Sequence, residues 1–325
     1  MLAWMLIQPS IHMKRTFFSL TGILLIGFLG AAFLPAASAG KKQEFGLFPA
    51  RSGKLYGYID RAGKFVIKPQ FAAAVRFSEG LAGVKNDKGL WGFIDNTGKL
   101  IIDPQFNDVR PFSEGLASFS KGSGRYGCID KKGNVVVKPE FGAVGLFVNG
   151  TAPVIVTKIR SGLPAGAGGF IDRSGKFVLD PVFEGVGTFG DGLVPVRRFG
   201  ELWSYIDRSG KTVIPAKYRE ARKFGEGLAP VQIDLQPRGH AWGYIDRAGK
   251  MAIPAKYEEA RVFSEGLAAV MSGGKWGFVD AAGVMKIAPR FSNVIDEFAE
   301  GIVMVEEGDT TGYIDDTGKF LWKQQ

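Results

Sequence analysis

Few residues in this chain could do covalent chemistry, and the first to weigh are Cys128, His240 and a series of regularly spaced aspartates. A Ser-His-Asp or Cys-His constellation would have to pass through His240, the one histidine beyond the N-terminal segment. Cys128 stands where sister segments carry Tyr58, Phe93 and Tyr244, so it reads as a small core side chain. A single cysteine excludes an intramolecular disulfide and a thiolate zinc cluster, and one histidine supplies too few ligands for a His-based metal site. The aspartates are Asp60, Asp95, Asp130, Asp172, Asp207, Asp246, Asp280 and Asp315. Calcium loops need several oxygens close together, and paired-carboxylate hydrolysis needs two acids about 5–10 Å apart. Here each segment offers one Asp, and nothing selects two over the other six. No catalytic residue, metal or cofactor is expected.

These aspartates belong to an internal repeat. One unit reads aromatic-Gly-aromatic-Ile-Asp-x-x-Gly-Lys. An apolar trio follows, then Pro, an aromatic, a variable stretch ending in Phe, and Glu-Gly-Leu-Ala-x-Val. Eight units recur about every 35 residues, with glycines at 63, 98, 133, 175, 210, 249, 283 and 318. Asp-x-x-Gly between two apolar runs is a hairpin signal: Asp opens the turn and Gly supplies positive φ. Residues 242–246 and 249–253 should therefore be neighbouring antiparallel strands, ended by Pro254. The glycines are turn devices rather than a phosphate cradle, which would need a strand leading into a helix.

Each unit, three strands and a short fourth, is too small to bury its own apolar face, so stability must come from stacking units. The expected fold is all-β, a run of antiparallel meanders closed as a β-propeller-like ring; an open solenoid is the alternative. The last unit stops near Trp322, and residues 41–45 are placed to supply its missing strand and close the ring.

Trp-Gly-Phe-Ile-Asp at 91–95, Trp-Gly-Tyr-Ile-Asp at 242–246 and Trp-Gly-Phe-Val-Asp at 276–280 carry the signature of the bacterial WG-repeat family, which the chain resembles from about residue 45 onward. Phe-Ser-Glu-Gly-Leu-Ala at 77–82, 112–117 and 263–268 agrees with it. The resemblance implies β-rich interaction modules, often exported, and brings no catalytic residues. Tyr56 and Tyr126 replace Trp, while Gly168-Gly169, Trp203-Ser204 and Thr311-Gly312 depart from the pattern.

Lys14 and Arg15, the apolar run 17–34, Pro35 and Ala37-Ser38-Ala39 form a secretory signal peptide over 1–39, with Met13 an alternative start; an uncleaved membrane anchor is the other reading. Residues 40–325 are then a single repeat domain, periplasmic or extracellular. Losing Lys14 and Arg15 lowers the formal net charge from +9 to +7, mildly favouring anionic partners without indicating a specific nucleic acid. No second stretch is long and apolar enough to span a bilayer.

Three sets of residues are candidates for function. Trp91, Trp203, Trp242 and Trp276 occupy equivalent strand positions and read as packing between units, with stacking on a ligand the alternative. Hairpin tips carry Arg61, Lys64, Lys131, Lys132, Arg173, Lys176, Arg208, Lys211, Arg247 and Lys250, which would form a basic rim or simply solvated tips balanced by Glu79, Glu114, Glu226 and Glu265. Insertions at 157–168 and 232–241 should emerge on one face and bring Lys158, Arg160, Arg238 and His240 together there. The leading expectation is a non-catalytic envelope scaffold that presents loops and a basic rim to a protein or an anionic polymer. A purely structural array is the second reading and a polysaccharide-acting enzyme a distant third.

Overall fold

The computed structural model describes residues 46–122, 124–157, 165–237 and 239–324. These form antiparallel strands throughout, with no helix. The second blade shows the plan. A short strand, Ala73–Ala74, is followed by Ala82–Lys85, Trp91–Ile94 and Leu100–Phe106, each paired with its predecessor. Blades six to eight repeat it as separate four-stranded sheets. Blades three to five merge into one ten-stranded sheet, because Val135–Val144 and Phe177–Val186 run unbroken from the last strand of one blade into the first of the next. The sequence unit therefore straddles two blades: its Trp-Gly strand belongs to one and its Leu-Ala strand to the next.

Local chemistry sets each hairpin. In all eight Asp-x-x-Gly turns the Asp Oδ1 accepts the amides two and four residues on, as Asp60 does from Ala62 and Lys64 and Asp315 from Thr317 and Lys319. The following glycines have φ between 78° and 88°. The repeated Asp is thus a turn residue throughout, as its spacing suggested.

The glycine of the Trp-Gly pair answers to a different constraint. A Cβ on Gly92 would lie 2.5 Å from the Ile102 carbonyl oxygen and 2.7 Å from Pro104 N. The last strand of the blade bulges over that glycine, with its register shifting between Trp91 and Phe93. In the fifth blade Ser204 takes the position, and its hydroxyl donates to the Val196 carbonyl.

Blades pack face to face around a ring. The turn glycine of each blade rests on an apolar residue of the preceding blade's last strand: Gly98 on Ile67, Gly133 on Ile102, Gly175 on Val137, and onward to Gly318 on Ile287. The series closes on itself, because Gly63 of the first blade rests on Trp322 of the eighth. Phe48, Ala50 and Ile59 share a core cluster with Ile302 and Tyr313 across the same seam. The ring is therefore closed, and the open solenoid is set aside.

Residues 41–45, expected to supply the strand that completes the ring, fall outside the described residues. Among the described residues Phe48–Ser52 takes the place of the Leu-Ala strand, pairing with Leu55–Ile59. Among the described residues closure is by packing, since no ladder there joins the eighth sheet to the first. The first blade has three strands among the described residues, and Phe48 stands at the position of Ala82. Its ring meets Tyr313 at 5.4 Å between centroids, the contact that Phe77 makes with Tyr58 one blade on.

Candidate functional site

The strands place two kinds of turn at one end of the ring: the Asp-x-x-Gly turns and the tight Glu-Gly turns that begin the Leu-Ala strands. In the Glu-Gly turns both residues have positive φ, 53° and 85° at Glu79 and Gly80, as a two-residue hairpin of primed type requires. The glutamates do more than balance charge. Glu79 reaches the next blade, accepting the amides of Glu114 at 2.6 Å and Gly115 at 2.9 Å. Glu114 accepts those of Asn149 and Gly150. Asp191 accepts Gly227, Glu226 accepts Gly266, and Glu265 accepts Glu300 and Gly301. The signal available in the sequence was an acid recurring before glycine, with Asn149 in its place once. The acid's target, some 35 residues away, was not legible.

Half of the basic rim is engaged in the same belt. Lys131 Nζ donates to the Glu79 carbonyl at 2.8 Å and lies 3.2 Å from its carboxylate. Arg61 donates to the Glu300 carbonyl across the seam, and Arg208 to the Asn149 carbonyl. Arg173 and Arg247 lie beside Gly115 and Gly192. The cation after the Asp therefore clasps the preceding blade's Glu-Gly turn. The lysines after the glycine, Lys64, Lys176, Lys211 and Lys250, and Lys132 just before it, are exposed and form the outer part of the rim.

The tryptophans are core. Trp203, Trp242 and Trp276 are buried, and Trp91 is half-buried. Trp242 shares a cluster with Ile253 of its own blade and Phe263 and Val270 of the next. Cations cap them from the polar side: Arg222 at 4.4 Å from the Trp242 ring and Arg261 at 5.0 Å from Trp276. Arg222 also donates to Glu259 at 2.6 Å. Cys128 is fully buried, and burial pushes its thiol up to about 12.

Around the axis, charges from distant blades meet. Phe291 and Phe298 are seven residues apart, where the other units have six, and the extra residue leaves Asp296 and Glu297 side by side. Asp296 pairs with Arg76 at 2.7 Å, and Glu297 with Lys223 at 3.7 Å. Burial carries the Asp296 carboxyl up and the Lys223 ammonium down. None of this was anticipated, because the partners lie 220 and 74 residues apart.

The two long insertions emerge at the opposite end of the strands from the basic turns, so the loops and the rim are separate surfaces. Lys158, Arg160 and Arg238 lie outside the described residues. His240 is exposed and opens the strand His240–Ile245, opposite Asp234. The second insertion is thus largely an extended hairpin. Between the two insertions in the chain stands a further hairpin, with Phe199 and Leu202 exposed. Among the described residues no group of three or more His, Cys, Asp or Glu could hold a metal. None of their elements is a helix long and apolar enough to cross a membrane.

No curated protein matches the chain. Among solved structures, the computationally designed Ika8 protein is similar over 78% of this chain and 86% of its own, at 13% identity and a TM-score of 0.52. KlHsv2 with loop 6CD replaced by a Gly-Ser linker is similar over 76% of this chain and 92% of its own, at 9% identity and a TM-score of 0.50. BamB from Moraxella catarrhalis covers 82% of this chain and 95% of its own, at 13% identity and a TM-score of 0.49. At such identities the likeness concerns the fold. The WG containing repeat matches residues 56–89, 91–123, 126–156, 169–200, 203–234, 242–276 and 276–310. The eighth hairpin, Thr310–Asp315 and Phe320–Lys323, follows the last matched stretch with the same turn geometry. With seven matched repeats spanning most of its described length, this chain belongs to the WG containing repeat family.

Proposed function

We propose that this protein is an exported, non-catalytic binding scaffold of the cell envelope, recognising a protein or an anionic polymer. The observation that carries the reading is the engagement of its repeated polar groups. The eight turn aspartates, most of the Glu-Gly acids and the cations after Asp hold turns and neighbouring blades together. Chemistry that differs from unit to unit is left to make contacts. It concentrates on the two insertions at 157–168 and 232–241, with Lys158, Arg160, Arg238 and His240 as candidate contacts. Export rests on the N-terminal pattern of Lys14, Arg15, an apolar run and Ala37-Ser38-Ala39.

The test is capture by the immobilised chain from Gly40 onward, offered peptidoglycan, lipopolysaccharide and soluble periplasmic protein separately, at low and high salt. A variant with both insertions replaced by short Gly-Ser turns runs beside it. Selective capture that the variant loses is the expected result. No capture, or salt-sensitive sticking unchanged in the variant, would leave a purely structural array.

A further inference from the structure

Among the described residues, the belt of Glu-Gly turns is interrupted at Asp191-Gly192. Five turns receive a carboxylate from the preceding blade: those at 114–115, 149–150, 226–227, 265–266 and 300–301. The turn Asp191-Gly192 belongs to the same series, but the residue due to supply its carboxylate is Asn149. Asn149 is one methylene shorter than glutamate and neutral, and its side chain makes no hydrogen bond to that turn.

The cradle itself is fully formed. Asp191 and Gly192 have φ of 49° and 86°, against 55° and 81° at Glu114 and Gly115, so their amides point as those that hold Glu79. Neither amide has a hydrogen-bond partner among the described residues. The cation is present as well. Arg208 stands to Asn149 as Lys131 stands to Glu79, donating to its carbonyl oxygen at 3.3 Å. In the Glu79 cluster the carboxylate is bound by two amides, at 2.6 and 2.9 Å, and by an ammonium at 3.2 Å. At Asn149 both amides and the cation recur without the anion. The carboxylate of Asp191 is turned away, accepting the Gly227 amide at 2.7 Å, and does not fill the cradle.

We infer that the Asp191-Gly192 amides and Arg208 form a binding site for a carboxylate supplied by another molecule. Two adjacent amides in a left-handed turn make an anion-binding nest, and a guanidinium adds a charge-assisted bond with directional preference. Asn149 and Asp191 are exposed, so an incoming acid has access. The site lies at the opposite end of the ring from the two insertions, and it stands whether or not those insertions bind anything.

Amide chemical shifts of Asp191 and Gly192 test the site. The chain from Gly40 is titrated with N-acetylglutamate amide and, separately, with glucuronate, against sodium chloride at matched ionic strength. A saturable shift of both amides with either acid and not with chloride is expected, and the tighter acid tells peptide carboxylates from sugar acids. Arg208→Ala should weaken binding at least about tenfold, as loss of a charge-assisted hydrogen bond does. Asn149→Glu should abolish it, by seating the chain's own carboxylate, and should raise the melting temperature. No saturable shift, or a shift unchanged in Asn149→Glu, overturns the inference.

Discussion

Asp296 of the eighth blade lies 2.7 Å from Arg76 of the second, across the place where the first blade has no fourth strand among the described residues. The Arg76 guanidinium sits 5.6 Å from both the Phe48 and the Tyr313 ring centroids, over the joint between first and last blades. With side chains only 10% and 20% exposed, the pair is a seal and not a surface contact. Removing one partner of a buried pair strands the other charge, which costs about 3–5 kcal/mol. Asp296→Ala should therefore lower the urea midpoint strongly. The double variant Arg76→Met with Asp296→Ala should recover much of the loss, because an apolar pair in such a place is often neutral. Equal stability of the single and double variants would mean that the pair does not seal the seam.

Trp242 is 3% exposed, and its ring is shared by two blades. Trp242→Ala should cost about 3–5 kcal/mol. Val66→Thr, on the outer strand where that side chain is 54% exposed, should change stability by less than about 0.5 kcal/mol. Thermal melts of the two variants make the comparison. A near-unchanged melt for Trp242→Ala would assign that ring to ligand stacking.

Burial pushes the Cys128 thiol up to about 12. In the native protein the thiolate is scarce and shielded, so alkylating reagents should react only through opening of the third blade. Labelling measured across a urea series should follow the unfolding transition. Fast labelling without denaturant would show that the core around Phe147 and Val154 opens readily.

Alkaline pH should unfold the ring. Burial, as the largest cause, pushes Tyr126 and Tyr218 up to about 12, and Tyr58, Tyr205, Tyr244 and Tyr313 above the ordinary tyrosine range. These folded values exceed the unfolded value of 10.0, so the unfolded chain releases its protons first. Their contribution is fully present below pH 10.0 and is lost as pH rises through about 12. Urea midpoints should fall across that window, with tyrosinate absorbance appearing together with unfolding. Tyrosinate formed well before unfolding would contradict the burial of these hydroxyls.

The sequence by itself determined whatever depends on neighbours along the chain. Asp60 and Gly63 specify a hairpin because a carboxylate two to four residues from its amides, and a glycine free to take positive φ, are local requirements. Eight such signals at near-regular spacing, with two longer gaps, make an all-β array, and units too small to bury their own faces make stacking obligatory. The turn role of the aspartates, the core role of Trp242 and the burial of Cys128 were legible for the same reason. Only the tertiary structure decided what depends on distance through space. Whether Glu79 is a solvated charge or a clasp depends on amides of the next blade. Whether Lys131 belongs to a rim or a belt depends on where Glu79 turns. That Tyr313 donates to the Pro49 carbonyl, 264 residues earlier, requires the ring to have closed. Repetition tells the chain how to fold each unit, but a seam between unlike ends is built from residues the repeat does not contain. Arg76, Asp296 and Phe48 meet there from the second, eighth and first blades, and no spacing within one unit brings them together.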